Sequence, residues 1–180
     1  MSESVRVHVA EIETPIGEMI AAASDTHLLL LEFSNRRILE TQLERVKRAM
    51  TCMFDRGESP VFTPLRAQLD EYFRGDRQDF DVPIHVPGTP FQSRVWEALR
   101  RIRCGTTTTY GGIAELIGQP TAVRAVAKAN GDNRIAILIP CHRVIGSDGQ
   151  LVGYGGGLWR KRRLLQLEGR ASTLPLFEAV

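Results

Sequence analysis

Ile135-Ala136-Ile137-Leu138-Ile139-Pro140-Cys141-His142-Arg143-Val144 is the stretch on which the reading of this chain turns. An unbroken apolar run stops abruptly at Pro, Cys, His and Arg. A run of that length with polar bounds predicts a buried strand. Proline then ends the ladder, because it has no N–H to donate. The pattern therefore predicts a cysteine delivered at the end of a rigid element, beside a histidine and an arginine. A free thiol has a pKa of about 8.5, so little of it is thiolate at neutral pH. His142 or Arg143 could favour the charged form. Placed alone, a Cys-His pair is also a common structural feature.

The rest of the chain narrows the field. At 180 residues it is long enough for one domain or two small ones with a real core. An apolar content of 43% and a charged content of 24% are those of an ordinary globular protein. No apolar stretch reaches bilayer length, and the N-terminus lacks a signal-peptide pattern, so no membrane partner is expected. Cys52, Cys104 and Cys141 make no CxxC pair and no even set, which suggests neither a disulfide framework nor a zinc site. No metal is expected, and a reducing, cytoplasmic location follows. The net charge of +2 hides a division. Residues 1–87 carry ten Lys and Arg against fifteen Asp and Glu, whereas residues 88–170 carry thirteen against five. Such asymmetry suggests that the second part meets a polyanion, although a solvated basic face would give the same count.

Alternation in Val5-Arg6-Val7-His8-Val9, turns at Thr14-Pro15-Ile16-Gly17 and Ser24-Asp25-Thr26, and strand-like segments at 19–23 and 28–33 predict a small antiparallel meander. Helical spacing of Ile38, Leu39, Val46, Met50 and Met53 predicts a helix over 38–54. Thr63 and Pro64 suit the N-cap and first turn of another, which ends before Gly75. Residues 82–90 hold three prolines and a glycine and mark a boundary. The expected class is α/β (α+β): an N-terminal αβ domain over 1–87, a mostly helical domain over 88–170, and a tail over 171–180. Beyond the boundary, Phe91, Val95, Ala98, Leu99 and Ile102 line one helix face. Thr109 to Thr121 reads as helix, Gly118 turn and new N-cap, with Thr121 capping a helix that runs to about Ala129. Two short helices so joined make a helix-turn-helix. Ala122, Ala125 and Ala127 offer little to read base edges, but small residues permit close approach to a minor groove, with Arg124 standing out among them. Packing in a core would explain the alanines equally well.

Glu168 falls on the largely apolar stripe of a helix over 158–168, at its C-terminal end, where the macrodipole disfavours an anion. A buried partner would offset that cost, and a Glu168–His142–Cys141 relay would supply one. Six glycines in residues 146–157 indicate tight turns or close backbone approach to a ligand. Neither a P-loop nor a GxGxxG spacing is present, and no cofactor is expected. Asn133, at the entry to the apolar run, has a side-chain amide suited to fixing a turn.

With these residues assembled, Pro140-Cys141-His142-Arg143-Val144, the Gly153-Tyr154-Gly155-Gly156-Gly157 loop and Leu167-Glu168-Gly169 together resemble the methylated-DNA–protein-cysteine methyltransferases. The match is strong over 89–169 and weaker before it. The resemblance implies a monomer acting on double-stranded DNA that contains alkylated guanine. Cys141 would take the alkyl group from O-6 of guanine, and also from O-4 of thymine, in a single turnover with the base flipped out. His142, bridged through a water to Cys141 and held by Glu168, would accept the thiol proton. Tyr110 would assist the leaving group, and Asn133 would order the turn. Arg124 would enter the base stack, with Thr121, Ala122, Ala125 and Ala127 at the groove. Val144, Tyr154, Gly155 and Gly156 would belong to the base pocket. Relatives often carry a larger residue where Gly155 stands, which implies a wider pocket here. A non-catalytic lesion binder, a Cys-His-Glu hydrolase and a transcription regulator are the alternatives. The first would lack the cysteine, the second leaves the helix-turn-helix unused, and the third leaves the Cys-His-Glu set unexplained.

Overall fold

In the computed structural model, residues 5–169 are described; the tail over 171–180 lies outside them. Strands β1 (Val5–Ile12), β2 (Met19–Ala23) and β3 (Leu28–Phe33) form the expected antiparallel meander. The helix expected over 38–54 is shorter. Helix α1 spans Leu39–Met50, and Thr51 then turns left-handed at φ 49° with its N–H on Lys47 O. Cys52–Arg56 continues as strand β4, parallel to β1, in a sheet ordered β3-β2-β1-β4. Met53, which falls at helical spacing, is instead an exposed strand residue. The next helix, α2 (Phe62–Arg74), also begins earlier than Thr63. Ser59 Oγ accepts from Val61 N–H at 3.1 Å and donates to Ser24 O at 2.7 Å, fixing that entry.

Strand β3 ends the sheet order, yet its outer edge is not bare. Leu28 bridges Ile84 and Leu31 bridges Ile135, both in parallel register. All six β3 residues are buried, Glu32 among five apolar side chains. The segment carrying the cysteine is thus hung on the sheet of the N-terminal half, through Leu31 N–H to Arg134 O and Ala136 N–H to Leu31 O, both 2.8 Å.

That segment corrects the expectation of a strand. Only Ile135 makes a bridge; residues 136–139 curl into a buried turn. Ile137 adopts φ 71°, a left-handed conformation that a β-branched residue accepts only under constraint from its surroundings. Cys141–Arg143 follows as a single 3-10 turn. Apolar continuity reported burial correctly; it could not report backbone direction, because a buried turn and a buried strand share the same composition.

The second half packs onto this edge. Helix α3 (Pro90–Arg100) opens on a capping box in which Thr89 Oγ1 accepts from Gln92 N–H and the Gln92 side chain returns to Thr89 N–H. Strand β5 (Thr108–Thr109) lies parallel to β6 (Val144–Ile145), which sets the start of α4 (Tyr110–Leu116) beside the cysteine turn. Gly118 takes φ +72° after α4, and Gln119 N–H reaches back to Ala114 O, a helix stop of the expected kind. Helix α5 (Val123–Gly131) then starts without a side-chain cap: Ala122, not Thr121, holds the N-cap position. Trp96 Nε1 donates to Ala129 O at 2.9 Å and ties α3 to α5. Helix α6 (Leu158–Leu167) closes the fold with Glu168 at its C-cap. One buried cluster draws on both halves, joining Leu31, Phe33 and Leu65 to Val95, Leu99 and Ile139.

Thr89→Ala removes one partner of the capping box. A loss of about 1 kcal/mol is expected, read as a lower denaturant midpoint at unchanged slope.

Candidate active site

The cysteine turn is organised by one side chain. Asn133 Oδ1 accepts from Ile135 N–H at 3.0 Å, while its Nδ2 donates to Ile139 O at 2.8 Å and Ile135 O at 3.3 Å. The same Nδ2 lies 3.1 Å from Cys141 Sγ. Asn133 and Cys141 are both buried. Burial pushes the Cys141 thiol up, and the Asn133 hydrogen bond only partly opposes this. The resting group is therefore a protonated thiol.

His142 and Arg143 stand differently from what adjacency in sequence suggests. Arg143 does not serve the sulfur: its Nε donates to Glu168 Oε2 at 2.9 Å and its Nη2 to Oε1 at 2.8 Å, a bidentate pair. His142 Nε2 lies 2.9 Å from Glu168 Oε1, and Tyr72 Oη donates to the same oxygen at 2.7 Å. Facing a carboxylate, Nε2 carries the proton, which leaves His142 Nδ1 as a bare acceptor with no hydrogen-bond partner among the described residues. The surrounding donors hold the Glu168 carboxyl far below the usual range despite its burial. Burial, outweighing Glu168, holds the His142 imidazole below its usual value. The acid on an apolar stripe thus has partners beyond the one expected: Tyr72 comes from the N-terminal half, where sequence offered no sign of it.

Cys141 lines a cavity of about 230 Å³ together with Tyr110, Asn133, Tyr154, Gly155 and Gly156. Val144 is not among its walls; that residue is fully buried, and its carbonyl accepts from Lys161 Nζ at 2.6 Å. Tyr110 Oη donates to Val152 O at 3.3 Å and lies 3.4 Å from Gly153 O, and burial raises its pKa. Lys161, the lysine on the apolar face of α6, is wholly buried and also reaches Val152 O at 2.6 Å. Burial lowers its pKa to about 8. Its ammonium fastens the glycine loop to the strand that follows the cysteine.

Further cavity residues went unread in the sequence, among them Glu32, Arg36 and Asn130. Asn130 is 4% exposed and its Oδ1 has no partner among the described residues. Arg36 corrects the expectation for Gly155. A Cβ on Gly155 would lie 2.5 Å from Arg36 Cζ, so the room that a larger residue would take is filled by a guanidinium.

Along α5 and its entry, Thr121, Arg124, Ala125 and Ala127 are exposed and Ala122 is half-buried. Core packing accounts for Val126 and Ala129, not for these alanines. Ala127 also borders the cavity, so the small-residue face of α5 reaches the cavity that Cys141 lines. The basic excess is partly internal: Arg134, Arg143, Arg160 and Lys161 are buried. Among the described residues, no helix is long and apolar enough to cross a membrane.

Residues 7–86 match the ribonuclease-like domain of 6-O-methylguanine DNA methyltransferase, and residues 90–170 match its DNA-binding domain. The methylated-DNA–protein-cysteine methyltransferase of Mycobacterium bovis is 45% identical over 96% of this chain and 99% of its own. The chain belongs to the methylated-DNA–protein-cysteine methyltransferase family. Within that family, the crystal structure of the Mycobacterium tuberculosis O6-methylguanine methyltransferase has a TM-score of 0.77 and 43% identity, covering 95% of this chain and 96% of that one. A structure of the same enzyme in complex with DNA has a TM-score of 0.76 and 42% identity, covering 96% of each chain.

Because burial lowers His142, its imidazole stays neutral through neutral pH and protonates only below its ordinary pKa of about 6.5. If Nδ1 takes the thiol proton, the rate of alkylation at Cys141 should be flat from pH 8 to about 6.5 and fall below that. Rapid-quench measurement across pH 5–8 checks this; an acid limb centred above pH 7 would rule out His142 as the base.

Proposed function

We propose that the protein repairs alkylated double-stranded DNA by accepting the alkyl group from O-6 of guanine, and from O-4 of thymine, on Cys141. What carries the reading is the shared border at Ala127: the exposed, small-residue face of α5 meets the cavity lined by the buried thiol. A base inside a duplex cannot present its exocyclic oxygen to a buried sulfur, so the nucleotide must swing out of the stack. Thr121, Ala122, Ala125 and Ala127 let α5 approach a groove closely, and exposed Arg124 fills the gap left in the stack.

His142 Nδ1 receives the Cys141 proton, directly or through a bridging water. Glu168, held by Arg143 and Tyr72, keeps the imidazole in the tautomer that presents Nδ1 and offsets the charge it gains. The thiolate attacks the alkyl carbon; an S–C bond forms as the C–O bond breaks, and the electron pair leaves on the base oxygen. Tyr110 Oη donates toward the leaving base, and the hydrogen bonds of Asn133 hold the sulfur in line. Tyr154, Gly155 and Gly156 enclose the base. A thioether has no facile route back to a thiol, so the protein is consumed after one transfer. One chain carries the whole set, which supports action as a monomer, and its unpaired cysteines suit a cytoplasmic, reducing setting. Residues 1–87 serve as the αβ domain that mounts the turn, and 88–170 as the alkyltransferase domain.

Incubation with a duplex carrying O6-methylguanine should add one methyl group to the peptide containing Cys141, with no further turnover. Cys141→Ala should keep lesion binding and transfer nothing; methyl removal by that variant would refute the mechanism. Arg124→Ala should slow repair of duplex DNA by about ten- to a hundredfold, the factor set by a few kcal/mol of unstacking. Attack on the free modified base should be nearly unchanged; equal losses on both would overturn the finger role.

A further inference from the structure

The wall of the cavity facing Gly155 comes from the N-terminal half. Arg36 follows β3, and its guanidinium is held at several points. Nη1 pairs with Glu32 and donates to Asn133 O at 3.1 Å, and Nη2 bonds to Gly131 O. Glu32 is itself 1% exposed and also accepts from Phe33 N–H at 3.0 Å. The arginine is thus clamped between the strand that carries the cysteine turn, the end of α5 and the residue that touches Sγ. It lies over Gly155 so closely that a single added carbon there would collide with three of its atoms.

An arginine so fixed, its side chain only 8% exposed, costs desolvation and side-chain entropy. Burying it against a glycine inside the reaction cavity makes a rigid, charged boundary where an apolar side chain would pack as well. We propose that Arg36 and Gly155 act as a matched pair that sets the size of alkyl group Cys141 can accept, with the guanidinium as the limiting wall. The N-terminal half then selects substrate as well as supporting the turn. Small groups pass because they stay near the sulfur; an aromatic group would have to displace a guanidinium anchored to Glu32 and two carbonyls.

This inference rests on alkyl transfer at Cys141, and the test separates the two. Single-turnover rates would be measured by mass for duplexes carrying O6-methylguanine or O6-benzylguanine, in wild type, Gly155→Ala, Arg36→Ala and Arg36→Ala/Gly155→Ala. The wild type should prefer methyl. Arg36→Ala should raise the benzyl-to-methyl rate ratio by about tenfold or more, within the range that pocket shape commonly gives. Gly155→Ala should slow transfer, and the double variant should recover the methyl rate, since the new carbon then meets no guanidinium. If Arg36→Ala folds poorly, Glu32→Gln/Arg36→Ala removes both charges together and should show the same ratio. A ratio within twofold of wild type in both Arg36 variants, with methyl transfer intact, overturns the proposal. So does a Gly155→Ala defect that persists without Arg36. Absence of any alkyl on Cys141 in the wild type would instead defeat the underlying reading.

Discussion

The side chain of Asn133 is the constraint on which the site depends. Its amide satisfies one N–H and two carbonyls of a turn that has no ladder of its own, and the same group reaches Cys141 Sγ. Buried backbone groups must be paired somewhere, and here the partner is a single amide. With those bonds made, Ile137 can be held at a positive φ, and the 3-10 turn can follow. Without them, five buried apolar residues would have no reason to curl rather than extend.

Around that turn, charge is used for architecture. Arg143, Arg160 and Lys161 are interior residues whose donors meet a carboxylate or backbone carbonyls. Each buried cation is offset by several hydrogen bonds, as burial demands. At Cys141 and His142 burial acts in one sense, favouring the thiol over the thiolate and the neutral imidazole over its cation.

Much of this was legible in residue order. The meander, the helix-turn-helix and the mounting of Cys141 beside His142 follow from periodicity, turn residues and apolar runs. Glu168 declared itself by being an acid on an apolar stripe at the wrong end of a helix dipole. Lys161 falls on the same largely apolar stripe of the helix over 158–168. Arg36 and Glu32 gave no such signal: an acid near the end of β3 and an arginine four residues on, in the loop, look like any solvated pair. Tyr72 gave no sign either, since an aromatic on a helix face reads as core.

The sequence by itself determined most of the local elements, β4 and the cysteine turn excepted, the buried identity of the cysteine segment and, through the Pro-Cys-His-Arg-Val signature, the family. Those properties depend on composition and spacing along the chain. Only the tertiary structure decided that residues 135–139 form a turn docked on β3, that Arg143 belongs to Glu168 rather than to the sulfur, and that Arg36 fills the space above Gly155. Each is a contact between groups far apart in sequence or a choice of backbone direction. Neither is encoded by a periodic pattern; both are settled by which buried polar groups find partners when the two halves close on one core.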